Sequence, residues 1–176
     1  MVKKHQIAPY LNSAVGTDGL VDKTNPTWTR IKKTASFDLN MNPQTQEFDY
    51  ISDEAPTTEL ERFNPSFNTP LVMYENEPDY EFIFGKFYNL AAGEKSKSEL
   101  LLVFFQEPVD TAATTHTHFA AWRVDCSIVP NDLNSVDGTL TFDTNFNGTV
   151  KKGYVTMSGT PAEPTFTEGT YSSTSS

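Results

Sequence analysis

From Trp28 onward the chain is patterned for strands. In TWTRIKKTASFDLNM, apolar side chains return at every second position at Phe37, Leu39 and Met41, the period of a strand with one face buried. Asn42-Pro43 interrupts this run, and QTQEFDYI carries extended character on to Ile51. Residues 52–65 read as a long acidic loop, and SFNTPLVMYE as the next strand, with Pro70 marking an edge or a bulge. The period then changes. In EPDYEFIFGKFYNLAAG, Tyr80, Ile83, Phe84, Phe87 and Tyr88 fall on one face of a helix predicted over 77–91. Pro78 fits its first turn, Glu77, Asp79 and Glu81 complement its positive end, and Gly93 suits its exit. Gly85 is the weak point of its interior.

Strands resume after a polar turn. ELLLVFFQE holds a continuous apolar run of the length of a buried strand and far short of a membrane span. THFAAWRVDCSIVP alternates, with Phe119, Trp122, Val124, Cys126 and Ile128 as candidate inward positions. GTLTFDTNF and GTVKKGYVTM flank Asn147-Gly148, a two-residue hairpin signal. The predicted fold is mainly β: two packed antiparallel sheets, as a sandwich or partly closed barrel, with one flanking helix and a long inter-strand loop. Residues 1–25 read as an N-terminal arm, 26–160 as the β domain and 161–176 as a flexible Ser/Thr-rich tail.

Composition narrows the picture. A chain of 176 residues can bury a core without staples. With 37% apolar but 12% aromatic residues, a few large side chains do much of the burying. One cysteine, Cys126, excludes an internal disulfide, and the opening MVKKHQIAPYLNSAVG has no apolar run of signal-peptide length. The expectation is a protein made in the cytoplasm without membrane insertion.

The net charge of −10 is unevenly placed. Eleven acids lie between Asp38 and Glu81 against Arg62 alone, and the rest of the chain sums to zero. This is the opposite of a nucleic-acid grip. By itself it reads as a solvated acidic face.

Catalytic and metal chemistry find little support. His116 and His118, at i and i+2, would share a strand face, but no third ligand is signalled. Cys126 lacks a basic partner and reads as a small core residue. The chain carries no nucleophile elbow, phosphate loop, dinucleotide fingerprint or zinc-protease motif. The acids of loop 52–65 lie in a proline- and threonine-rich segment rather than a desolvating pocket. No catalytic residue, metal or cofactor is expected.

The order of the pieces resembles a known family. Asn42-Pro43, then FDYISDE, then Pro65-Ser66-Phe67, the PDYEFIF segment and the stretch from Thr139 to Gly153 follow one another. In this they are similar to the tail tube (major tail) proteins of long-tailed bacteriophages that infect Gram-positive bacteria. The resemblance covers about Trp28 to Met157. It implies a β-sandwich subunit that assembles into stacked homohexameric rings around a channel. It further implies contacts with a tape-measure protein, a tail terminator and baseplate or initiator proteins, DNA in transit without tight binding, and residence in the virion tail. On that reading Asp53, Glu54, Pro56, Thr57, Thr58, Glu59, Glu61 and Arg62 form a loop reaching a neighbouring subunit or ring. Strand parity then places Thr45, Glu47 and Asp49, with Asp38 and Asn40, toward the lumen, and Phe48 and Tyr50 inside the sandwich. Two alternatives stand beside it: the inner-tube protein of a phage-derived injection machine, and a monomeric β-barrel baseplate or binding module.

Overall fold

The computed structural model describes residues 6–34, 36–49, 55–110 and 116–169. Its spine is β9 (Thr139–Ser158), a strand of 20 residues. Along one side of it runs β8 (His118–Asn134), antiparallel. The other side is shared between β6 (Ser66–Val72), on the first part, and β10 (Glu163–Glu168), on the last. Beyond β8 follow β7 (Lys97–Pro108), β1 (Ile7–Asn12) and β2 (Trp28–Arg30). Beyond β6 comes the three-residue β3 (Asp38–Asn40), giving the order β2-β1-β7-β8-β9-β6-β3. β4 (Pro43–Phe48) and β5 (Thr57–Phe63) form a separate two-stranded sheet. One helix, α1 (Pro78–Tyr88), and a short 3-10 turn, Gly93–Ser96, complete the described elements. The protein is mainly β and antiparallel, in one large and one small sheet, as the pattern predicts.

Apolar side chains collect on both faces of the large sheet. One cluster joins Leu11, Leu100, Val124, Cys126, Ile128, Leu140 and Phe142, with α1 packed over it through the fully buried Ile83. Phe37 and Phe67 pack into it with their rings tilted by 59° and centroids 4.8 Å apart. The other cluster joins Ala8, Tyr10, Leu101, Val103, Ala121 and Val155. Leu100, Leu101, Leu102 and Val103 are all fully buried, so β7 carries apolar residues on consecutive positions because both of its faces are covered. Cys126 is likewise core, and burial pushes its thiol far above its ordinary range.

α1 keeps the predicted start and ends earlier, at Tyr88. Its exit turns through Leu90, at φ 47, and Gly93, at φ 58. Ile83 is buried, whereas Tyr88 at 75% exposure lies off the packed face. Asp79 does more than complement the helix dipole. It is 2% exposed, and its Oδ2 accepts the Lys32 amide at 2.9 Å, tying the helix start to the segment after β2.

Several expectations are corrected. The N-terminal residues are no arm: Ile7–Asn12 is an inner strand between β2 and β7. IAPYLN is buried at every position but the first, so it shows no alternation to read. The expected tail contributes β10, held against β9 from Gly153 to Ser158. Residues 170–176 lie outside the described part. Asn147-Gly148 is not a hairpin. β9 runs through it, and between the pairs Arg123–Lys151 and Asp125–Asn147 the single residue Val124 faces residues 148–150. Gly148, at φ 75, provides the left-handed backbone of a bulge, and β8 continues alongside where a hairpin would have needed it to stop. Phe119 packs in the second cluster, opposite Trp122, Val124, Cys126 and Ile128, as an odd position among even ones must. Pro70 sits between the pairings of β6 with β3 and with Thr34, where no partner needs its missing N–H.

Candidate assembly surface

The expected loop over 52–65 is half strand. Residues 57–63 form β5, paired antiparallel with β4. Its threonines and alternating polar side chains suit an extended backbone, and β4 supplies the partner that a loop reading leaves out. Pro56 lies just before β5, while Tyr50, Ile51, Asp53 and Glu54 lie outside the described residues. Thr57, Thr58, Glu59, Glu61 and Arg62 all lie on β5, exposed along its whole length.

The root of this ribbon is built from asparagines. Asn42 takes φ 40, turning the chain from β3 into β4. Its Nδ2 donates to the Asn64 carbonyl at 3.1 Å and to Ser66 Oγ at 3.0 Å, and the Asn64 amide returns to the Met41 and Asn42 carbonyls. An Asn at positive φ with a bonded side chain is a low-cost way to set such a corner.

The ribbon also carries a bulge. Gln44 pairs with Arg62 but Thr45 pairs with Leu60, so Glu61 is an extra residue. One inserted residue switches the face of everything beyond it. Leu60 and Phe63, three apart, therefore share a face, together with Pro43, Thr45, Glu47 and Thr58. Both Leu60 and Phe63 are 51% exposed. Gln44, Gln46, Phe48, Thr57, Glu59 and Arg62 occupy the opposite face. Phe48, expected inside the sandwich, is half-buried on the ribbon instead.

The expected lumen set is thereby divided between two sheets. Thr45 and Glu47 lie on the Leu60/Phe63 face of the ribbon, and Asp49 follows β4, exposed. Asp38 and Asn40 lie on β3, exposed, on either side of the half-buried Leu39. The register extends them into two rows across the large sheet: Asp38, Asn68, Asp143 and Val129, and Asn40, Ser66, Asn145 and Ser127. Asp143 accepts from Asn68 Nδ2 and Asn131 Nδ2, each at 2.6 Å. Neither row contains a lysine or arginine. The sequence alone gives no sign of these rows, because they depend on which strands pair.

His116 and His118 do converge, on a carboxylate that sequence reasoning passes over. Both turn Nδ1 toward Asp110, which also accepts the Thr117 amide at 2.7 Å and the His118 amide at 3.3 Å. The Thr117 amide and the His116 ring hold the Asp110 carboxyl well below the usual range. His116 Nδ1 is hydrogen-bonded to that carboxylate, and His118 Nδ1, 3.6 Å from it, is hydrogen-bonded to Thr117 Oγ1 at 2.9 Å. Among the described residues no group of three or more His, Cys, Asp or Glu is placed to hold a metal ion.

The described residues form a large antiparallel sheet and a separate, exposed β-ribbon. No family model and no curated protein matches the sequence. Among solved structures, a chain of the anti-feeding prophage baseplate, seen by cryo-electron microscopy with six-fold symmetrisation, is similar over 86% of this chain and 95% of its own. The identity is 8% and the TM-score 0.44.

Proposed function

We propose that this protein is a self-assembling structural subunit of a phage tail tube, forming homohexameric rings that stack around a channel. The β4–β5 ribbon carries the proposal. A two-stranded sheet alone in water is marginal, and this one exposes all of β5 and every residue of β4 but the half-buried Phe48. Such an element is stabilised when a second copy covers it. The acidic, proline-bearing composition of the ribbon keeps it from pairing indiscriminately beforehand. The sequence resemblance to tail tube proteins supports the same role, with tape-measure, terminator and initiator proteins as further partners and the virion tail as location.

The two rows through Asp38 and Asn40 suit a channel wall. They offer acids, amides and hydroxyls, without the Lys or Arg that would hold phosphate at every step. At physiological salt a carboxylate acts over about 8 Å, and six-fold repetition would turn Asp38 and Asp143 into rings of negative charge. DNA would pass such a wall without adhering.

The test is size-exclusion chromatography of the full chain, then negative-stain electron microscopy of a concentrated sample, with and without an initiator complex. Six-fold rings or hollow striated tubes are expected. A monomer that stays monomeric even with the initiator would overturn the reading in favour of a binding module.

A further inference from the structure

The exposed apolar face of the ribbon has a counterpart elsewhere on the molecule. At the end of β7, β8 and β9 away from α1 lies an open groove of about 1030 Å³. Its apolar lining includes Phe104 and Trp122, packed edge to face with ring centroids 5.3 Å apart, and Val150. Phe104, Trp122 and Val150 are half-buried, whereas Lys152, paired with Trp122, is exposed and forms no salt bridge among the described residues. Glu107 and Glu168 also line it. Past the bulge at residues 148–150, Lys152 shares the face of Val150 and Trp122, and Lys151 pairs with Arg123 on the opposite face.

We infer that this groove receives the Leu60/Phe63 face of the ribbon of a second copy of the chain. The inference rests on the assembly reading and names the surfaces that meet. The complementarity has two parts. Leu60 and Phe63 offer apolar groups from one face, and Phe104, Trp122 and Val150 offer an apolar floor of a size that takes large side chains. Glu47 lies on the same ribbon face, with Asp49 just past the end of β4, and Lys152, on the Trp122 face and in no salt bridge among the described residues, is the cation that meets them. Strand rise of about 3.3 Å per residue spaces Glu47 some 13 Å from the Pro43–Phe63 pair, a span that a groove crossing three strands accommodates. Glu47 thus faces a neighbour's Lys152 rather than the channel. Opposite charges at the edge of a buried apolar contact fix which copy binds and in what register.

Two measurements test this on the full-length chain. In the first, Thr58→Cys on the ribbon face and Thr149→Cys at the groove are made in separate chains, mixed at assembly concentration and treated with a short bis-maleimide. Gln46→Cys, on the opposite ribbon face, replaces Thr58→Cys in the control, and buried Cys126 does not compete. Cross-linked dimers well above the control are expected. A yield equal to the control overturns the docking whether or not rings form, and dimers without rings would keep the docking and remove the ring. In the second, Glu47→Lys and Lys152→Glu are each expected to raise the concentration needed for assembly about tenfold, the loss of one charge pair, and the double variant to restore it. Rings formed equally well by all three would overturn the charge pairing while leaving the assembly reading standing.

Discussion

Arg123 presents Nε and Nη2 to the same oxygen of Glu99, at 3.0 and 2.8 Å, across the pairing of β8 with β7. The other Glu99 oxygen accepts Asn12 Nδ2 at 3.0 Å. Glu99 is 4% exposed, so its charge is tolerable only while both partners stay. The guanidinium also reaches the Lys23 carbonyl at 3.2 Å and lies 5.5 Å from the Trp28 ring centre. One side chain thereby ties the irregular segment between β1 and β2 to the middle of the sheet.

Arg123→Ala is therefore expected to cost about 3 kcal/mol in urea unfolding, the range for an orphaned buried charge. Removing both charges, as Glu99→Gln with Arg123→Met, should cost less than the single change, because no unpaired carboxylate remains. A double variant less stable than Arg123→Ala would refute this account of the pair.

Two glycines are expected to respond in opposite directions. Gly85 lies inside α1, and a Cβ there would meet no atom within 4 Å. Gly85→Ala should raise stability by about 0.5–1 kcal/mol through helix propensity. At Gly153 a Cβ would fall 2.1 Å from the Thr167 carbonyl oxygen, inside the pairing of β9 with β10. Gly153→Ala should displace β10, seen as loss of amide protection from Thr165 to Glu168 by hydrogen exchange while β8 and the first half of β9 stay protected. Equal protection in both proteins would show that β10 can shift without parting.

How far the sequence could be read depends on whether a signal is local. The helix was legible because its period and its Pro and acid start lie within a dozen residues, and the end of the strand at Asn42 was legible because a turn residue marks it. β1 was hidden by burial on both faces, which erases alternation. β5 was hidden because its exposed side chains carry no apolar period. The Asn147-Gly148 signal was genuine as a left-handed position, but a neighbouring strand turned the hairpin into a bulge. At the candidate surface the acids were visible as composition. The shared face of Leu60 and Phe63 was not, since it follows from one inserted residue in a pairing register. The rows through Asp38 and Asn40 likewise need the strand order, and Asp110 needs the chain to return.

The clasp formed by Asp110 gives the protein an acid-range signature. Its carboxyl is held below the usual range first by the Thr117 amide, then by the His116 ring. A depressed carboxylate contributes stability that is fully present above the unfolded value, about 3.9, and lost as pH falls through the lower folded value. The wild-type protein should therefore exceed Asp110→Asn in urea midpoint at neutral pH, and the gap should close only under strongly acid conditions. The Thr117 and His118 amide resonances of the folded protein should move only in strong acid, at the lowered folded value, in the wild type and lack that step in Asp110→Asn. A gap that persists unchanged into strong acid would mean that the carboxylate charge does not hold this turn.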